Sequence, residues 1–337
     1  MAGDLAENQW KDSLKERFPR YFHSVKVLDV GSADINGTNK EWFNNSEYIG
    51  LDVKEYKNVD VVSIAHEYNA PKWSFDTICS TSELEHDIHW QKTLLKMVEL
   101  LKPGGMMWFT CAAEREEHGT KTKNPDDSLT VKLDDEDWQN FYLHSSEETV
   151  RSVLDLDKIF KEYEIGYSED KAFLKFWGIK PCNLDIGCGT KDEWIEGDWI
   201  RVDPYVEEAD IKALANDLPF NDNWVDSIWS SHMLEHLEKR MIIPTLVEWY
   251  RVLKPGGELT LRVPDFAWCC QWWLNHPTNT WDMDIIYGGQ TREGETHKTG
   301  FTRDIMMSYL QEVGLRIKEF EELSTHSQQT LSFKCIK

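Results

Sequence analysis

The chain of 337 residues is long enough for two domains of roughly 150 residues each, and an apolar content of 40% with 16 tryptophans supplies their cores. Sixty acidic residues against 37 basic ones leave a formal charge of −23, which sets nucleic-acid modules and proteins of anionic membrane surfaces aside, because both draw affinity from clustered Lys and Arg. The longest apolar run, residues 106–113, is far too short for a bilayer, and the N-terminus lacks the basic and apolar regions of a secretory signal. Seven cysteines without a C-x-x-C spacing predict reduced thiols and a cytoplasmic setting.

In chain order, residues 25–30 form a short β-branched run that reads as a strand and leads into Gly31-Ser32-Ala33-Asp34-Ile35-Asn36-Gly37. A second run ends in Asp52, and residues 75–80 read as a third strand. Glu85-His86 stands where the next helix is expected to begin, so that the carboxylate would sit at the positive end of the helix dipole. Residues 89–101 predict that helix, with Leu94, Leu95, Val98 and Leu101 at three- and four-residue spacing. Lys102-Pro103-Gly104-Gly105 stops it, since Pro cannot continue a helix and Gly accepts a left-handed turn into the strand at residues 106–111. Residues 162–167 and 172–178 follow with no helix between them, which predicts an antiparallel hairpin at a sheet edge.

The series then repeats. Val27-Leu28-Asp29-Val30-Gly31 returns as Asn183-Leu184-Asp185-Ile186-Gly187, and the run ending in Asp52 returns as one ending in Asp203. Phe75-Asp76-Thr77-Ile78 returns as Val225-Asp226-Ser227-Ile228, Leu84-Glu85-His86 as Leu234-Glu235-His236, and Leu101-Lys102-Pro103-Gly104-Gly105 as Leu253-Lys254-Pro255-Gly256-Gly257. Five echoes in one order, all offset by 150 to 156 residues, mean two copies of one domain. The expected division is 1–179 and 180–337, with a very short linker and a second hairpin from residues 316–322 and 330–336. Strand and helix in alternation imply a mostly parallel sheet covered by helices on both faces.

A Gly-rich turn after a first strand lets backbone N–H groups approach a ligand, and an acid at the end of the second strand is placed to accept both hydrogen bonds of a ribose diol. On these residues both copies resemble class I S-adenosylmethionine-dependent methyltransferases. The second copy, through Asp217-Leu218-Pro219-Phe220 and Arg251-Val252-Leu253-Lys254-Pro255-Gly256-Gly257, is similar to the type 11 subgroup that contains ubiquinone- and menaquinone-biosynthesis enzymes. The resemblance implies two tandem Rossmann-like domains of the α/β class, each a mostly parallel seven-stranded sheet with an antiparallel C-terminal hairpin, and S-adenosylmethionine as cofactor. It places Asp185, Gly187, Cys188 and Gly189 around the methionine part of the donor, Asp203 on the ribose, Asp217 and Leu218 beside the adenine, and Ser230 beside the sulfonium. In the first copy the corresponding residues are Asp29, Gly31, Ser32, Asp52, Glu67 and Ser80. That copy departs from the pattern in its longer loop and in Tyr68-Asn69-Ala70, where the second copy has Leu-Pro-Phe.

His236 is a candidate base or a packed side chain. His297, in the polar stretch before the last helix, and His118, in the loop after the first copy's fifth strand, are candidate acid–base groups or idle surface residues. Asp265, directly after Pro264, is placed to touch a substrate. His232-Met233-Leu234-Glu235-His236 matches an inverted zinc-site pattern, but the first copy has Ser82 in place of the first His and no third ligand is evident, so no metal is expected. Trp268, Trp272, Trp273 and Trp281 are packing residues or the wall of a site for a sugar or flat ring. The expected activity is methyl transfer to a small molecule or to a sugar or glycan hydroxyl, carried by the second domain, with no nucleic-acid or membrane partner. The alternatives are a first domain that serves as scaffold or docking module, and a dinucleotide-dependent oxidoreductase, whose G-x-G-x-x-G is missing from both copies.

Overall fold

The computed structural model describes residues 5–190, 195, 198–276, 278, 281–291, 294–324 and 329–337, with the side chains of Trp281 and Asp282 outside that description. The chain divides into two compact units, Met1–Pro181 and Cys182–Lys337. In the first, β1 (Lys26–Val30), β2 (Glu47–Asp52), β3 (Val61–Val62), β4 (Phe75–Thr81), β5 (Leu101–Ala112), β6 (Glu162–Tyr167) and β7 (Phe173–Ile179) form one sheet in the order β3-β2-β1-β4-β5-β7-β6. Pairing is parallel from β3 to β5, whereas β7 runs antiparallel to both β5 and β6, which is the expected hairpin.

In the second unit, β8 (Asn183–Ile186), β9 (Ile200–Val202), β10 (Val225–Ser231), β11 (Leu253–Pro264), β12 (Arg316–Ser324) and β13 (Gln329–Ile336) repeat the topology in the order β12-β13-β11-β10-β8-β9. Six strands are found among the described residues rather than seven. The place of the short β3 is taken by one parallel bridge between Val202 and Ile211, because only that residue pair comes into register.

Strands covered on both faces explain the near-continuous apolar runs. In the first unit Val27, Cys79, Met106, Trp108 and Trp177 pack on one face, and Leu28, Ile78, Met107, Phe109 and Phe176 on the other. The helix Trp90–Leu100 buries Thr93, Leu94, Met97 and Leu100 and leaves Leu95 exposed, so its inner stripe is offset from the one expected; Leu101 already opens β5. Helix Leu5–Arg17, not anticipated from the sequence, sets Glu7 against Thr110 and Lys11 at the sheet.

The repeated Phe-Asp and Leu-Lys-Pro-Gly-Gly segments have one structural purpose in both units. Asp76 accepts from Lys26 N at 2.8 Å and pairs with Lys102 at 2.7 Å, while Asp226 accepts from Cys182 N at 2.9 Å and pairs with Lys254 at 2.8 Å. A single carboxylate thus ties the start of the first strand to the turn that ends the helix, where Gly104 and Gly256 have φ of 78° and 79°. One margin of each sheet is the hairpin strand, β6 or β12, whose exposed residues include Glu162 and Glu164 in the first and Lys318, Glu319, Glu321 and Glu322 in the second.

The strand order reverses beside β1 in one unit and beside β8 in the other. Ligands of open parallel sheets bind at such a switch point, outside the carboxyl ends of the strands.

Candidate donor and acceptor site

In the second unit the crevice begins at Gly187, directly after β8, with φ of 74° and its N–H bonded to Val202 O at 2.8 Å. A Cβ on Gly187 would stand 2.1 Å from Cγ of Met233, so only glycine lets that side chain lie over the turn. Gly189, at φ 59°, has no atom of the described residues within 4 Å of where its Cβ would be, which leaves its backbone bare on that side among them. Asp203 follows β9 and is 9% exposed. Its Oδ1 accepts from Tyr205 N at 2.8 Å and Val206 N at 3.2 Å, while Oδ2 receives only the longer bond from Gly189 N at 3.3 Å. Oδ2 therefore keeps accepting capacity toward the crevice. Cys188 is half-buried, and burial pushes its thiol up to about 12 against the opposing pull of Arg201. Asp185 lies on β8 opposite Arg201 and Trp229.

Leu218 is buried and Asp217 exposed beside it, in a segment fastened by Arg251. The guanidinium donates to Glu248 at 2.7 Å from both Nε and Nη2, to Asp222 at 2.7 Å, and to the carbonyls of Phe220 at 2.8 Å and Leu218 at 3.3 Å. Ser230 differs from its expected role: it is fully buried and donates to Ile186 O at 3.0 Å, so it braces the strand that carries the Gly turn instead of reaching a ligand. A bare-backbone cradle, a carboxylate with a free lone pair and an apolar Leu218 together fit S-adenosylmethionine.

The first unit has the same outline with the loop more tightly held. Asn58 donates to Ser32 O at 3.0 Å and Ser32 Oγ donates to Asn58 O at 3.1 Å, so Ser32 is buried and engaged. Over Gly31, φ 78°, lies Glu83 where the second unit has Met233, with Glu83 Cγ 2.2 Å from an added Cβ. Asp52 accepts from Ala33 N at 3.0 Å and Val53 N at 2.7 Å, one to each oxygen, and burial pushes its carboxyl up to about 6. Asp29 is a structural residue: it is buried among Asn39, Tyr48 and Cys79, and burial raises its carboxyl against those hydrogen bonds. Ser80 is fully buried within β4, and Glu67 is exposed in the short turn Ala65–Glu67.

Past the crevice both units make one turn. Ser82 (φ 51°) and His232 (φ 55°) adopt the left-handed conformation uncommon for residues with a side chain, directly after β4 and β10. That turn feeds Glu85-His86 and Glu235-His236 inward. Neither pair opens the following α-helix, as their position in sequence suggests, since those helices start at Trp90 and Lys239; Glu235-His236 lies in a short 3-10 turn, Leu234–His236, and both Glu side chains are buried. Each pair meets a histidine from a distant loop. Glu85, His86 and His118 place one ligand-type atom apiece within 4.8 Å of one another, and so do Glu235, His236 and His297. His118 and His297 are thus not isolated surface residues. Burial pushes Glu85 up to about 7 and His86 down to about 3, and it lowers His118 and His297 as well.

The second cluster opens on a cavity of about 240 Å³ whose lining includes Glu235, His297, Phe266, Cys269, Ile285 and Phe301. The loop bearing His297 is strapped to the turn, with Lys298 N and Thr299 N donating to Glu235 O at 2.7 and 3.1 Å and Thr299 Oγ1 donating to Leu237 O at 2.7 Å. Asp265 caps helix Phe266–Asn275, its Oδ1 accepting from Ala267 N at 3.1 Å and Trp268 N at 3.3 Å and its Oδ2 from Gln329 Nε2 at 3.3 Å, so its first role is structural. Trp268, Trp272 and His276 stack along that helix, with ring centroids 4.9 and 4.1 Å apart, away from the residues that line the cavity. The side chain of Trp281 lies outside the described residues. Among the described residues no helix is long and apolar enough to cross a membrane.

Residues 200–261, from β9 through most of β11, match the family model for the methyltransferase domain, type 11. No curated protein matches the chain. Similar solved structures include an S-adenosylmethionine-dependent methyltransferase from Archaeoglobus fulgidus, at 20% identity and a TM-score of 0.33 over 47% of this chain and 86% of the other. The 1,6-didemethyltoxoflavin N1-methyltransferase of Burkholderia thailandensis is 14% identical with a TM-score of 0.38 over 53% and 79%. The YcgJ protein of Bacillus subtilis is 14% identical with a TM-score of 0.35 over 51% and 98%.

Proposed function

We propose that the second unit, whose residues 200–261 match a methyltransferase domain, uses S-adenosylmethionine to methylate a hydroxyl of a small molecule or sugar held in the Phe266–Phe301 cavity. The observation that carries the reading is the three-residue path from Met233, which lies over the donor turn at Gly187, to Glu235, which lines the cavity. Donor crevice and acceptor cavity thereby share one wall. A volume of about 240 Å³ is below the roughly 300–1,000 Å³ of sites for drug-sized ligands, which favours a small acceptor or one ring of a larger one.

S-adenosylmethionine supplies an activated methyl group, so the protein's share of catalysis is alignment and the exclusion of water. Gly187 and Gly189 admit the donor's amino-acid end, and Oδ2 of Asp203 accepts from its ribose. Glu235, His236 and His297 fix the acceptor's hydroxyl so that an oxygen lone pair points along the line of transfer, and as the methyl leaves the sulfonium the hydroxyl proton passes to the Glu235 carboxylate. Phe266, Ile285 and Phe301 give the cavity an apolar wall.

The first unit serves as a companion module in this reading. Its loop is already bonded to Asn58, and Glu83 occupies the place of Met233. The test is incubation of the chain with methyl-labelled donor and a panel of small alcohols, monosaccharides and glycans. Label is expected in one of these pools and absent with Asp203→Ala. Label found only in protein or nucleic acid would overturn the acceptor class.

A further inference from the structure

We propose that each unit holds one divalent transition-metal ion, bound by Glu85, His86 and His118 in the first and by Glu235, His236 and His297 in the second. Two imidazoles and one carboxylate form a ligand set suited to Zn²⁺, Fe²⁺ or Co²⁺, and three protein ligands leave a coordination position for a water or a substrate oxygen.

Three observations carry this. First, the juxtaposition occurs twice. The Glu-His pairs are in register between the two copies, but the third residue is not. His118 and His297 belong to loops of different length and sequence, yet each arrives at the same pair. Packing alone does not call for a histidine at both arrivals.

Second, the first cluster is sealed from water, and its carboxylate and one imidazole nitrogen have no side-chain partner. Glu85 is 0% exposed, His86 3% and His118 8%. Neither oxygen of Glu85 has a side-chain donor in hydrogen-bonding position, and Nδ1 of His86 is buried without a partner. Backbone N–H groups of Glu85 and Ala112 lie near this carboxylate, but no cation among the described residues pairs with it, and a buried carboxylate without a cationic companion is costly; coordination to a metal would supply one.

Third, the surroundings fix the rings. Tyr142 OH stands 2.9 Å from Nδ1 of His118, which orients the opposite nitrogen in the way an outer hydrogen bond sets a ligating histidine. His118 and His86 meet edge to face at 5.3 Å, and His236 meets His297 at 4.9 Å. In the second unit His232 Nδ1 lies 3.4 Å from Glu235 and forms the outer contact to that carboxylate. Ligand atoms around a bound ion lie roughly 3–3.5 Å apart given bonds of about 2.0–2.2 Å. Separations within 4.8 Å close to that by side-chain rotation of ångström scale.

In the second unit the inference rests on the acceptor reading above. The ion would be the group that takes the acceptor's hydroxyl oxygen and lowers the cost of removing its proton. In the first unit the ion braces the loop that carries His118, independently of any methyl transfer.

The test uses the full chain, stripped with a chelator, equilibrated with Zn²⁺ or Co²⁺ and dialysed. Two equivalents of zinc per chain are expected by elemental analysis, and the Co²⁺ form should show visible absorption from nitrogen–oxygen coordination. His297→Ala, which lies on a half-buried loop, and His118→Asn should each retain one equivalent, and the double variant none. Circular dichroism and thermal melting identify any variant that has failed to fold, for which Glu85→Gln and Glu235→Gln are the substitutes. Fewer than two equivalents on the folded wild type, or unchanged stoichiometry in folded variants, overturns the proposal. Calorimetry with S-adenosylhomocysteine on the same samples separates the two readings. Donor binding without metal refutes only the metal sites, and metal without donor binding refutes only the methyl-transfer reading.

Discussion

Asp203 offers the sharpest perturbation of the donor site. Replacing it with Asn keeps one oxygen, which the chain will direct to the two shorter bonds, from Tyr205 N at 2.8 Å and Val206 N at 3.2 Å. The amide NH₂ then takes the place of Oδ2, where it faces Gly189 N–H and offers the ribose a donor in place of an acceptor. The loop therefore stays folded while the bond to the ligand is lost. A hydrogen bond to a charged group is worth about 1.5–3 kcal/mol, and each 1.4 kcal/mol is a factor of ten. The dissociation constant of S-adenosylhomocysteine for the second unit should accordingly rise roughly ten- to a hundredfold in Asp203→Asn. Isothermal titration at fixed pH measures it, with a thermal melt as control for folding. An affinity within about twofold of the wild type on a folded variant would show that this carboxylate does not hold the donor.

Three further outcomes follow from the same geometry. Gly187→Ala should lower stability by about 2–4 kcal/mol, from the left-handed backbone and the 2.1 Å approach to Met233, whereas Gly189→Ala should cost only about 1–2 kcal/mol in a chemical melt yet weaken donor binding, since its methyl fills the open cradle. Arg251→Lys removes the fork that grips Glu248 and the 218–220 carbonyls; a loss of about 1–3 kcal/mol and weaker donor binding are expected, and an unchanged urea midpoint would count against the network. Burial pushes the Asp52 carboxyl up to about 6, above its ordinary value of about 3.9, so the folded state holds the proton more tightly. Its contribution to stability is complete below about pH 4 and is lost as pH rises through 6, by about 3 kcal/mol. Unfolding of the first unit between pH 4 and 7.5 should be about that much less pH-dependent in Asp52→Ala than in the wild type.

The repeat, the strands and the glycine turns were legible because each rests on local chemistry. Gly187 and Gly31 need a positive φ, Asp203 and Asp52 end a strand, and Asp76 with Lys102 needs only short-range pairing. The Glu-His-His clusters were not legible as clusters. His118 and His297 follow their Glu-His partners at different separations, so comparison of the two halves in register passes over them, and the local H-x-x-E-H pattern points to His232 in their place. Asp265 and Ser230 were misread for a related reason. Their positions at strand ends resemble those of ligand contacts, but which backbone group consumes the side chain, the N–H of Ala267 or the carbonyl of Ile186, depends on tertiary placement. The N-terminal helix escaped notice because Glu7 and Lys11, both buried, give it no apolar stripe.

The hairpin strands β6 and β12 have a consequence for the behaviour of the molecule in a crowded solution. An outermost strand is a template on which a foreign strand can add by backbone pairing. Here an arriving copy would press its own Glu162 and Glu164, or Glu319, Glu321 and Glu322, against an identical row, with Arg17 already engaged by Glu162 at 3.0 Å. These charged rows, in which Arg17, Lys318 and Lys334 stand among the glutamates, must be desolvated when a foreign strand adds, and that cost guards both hairpin margins against ribbon-like polymerisation.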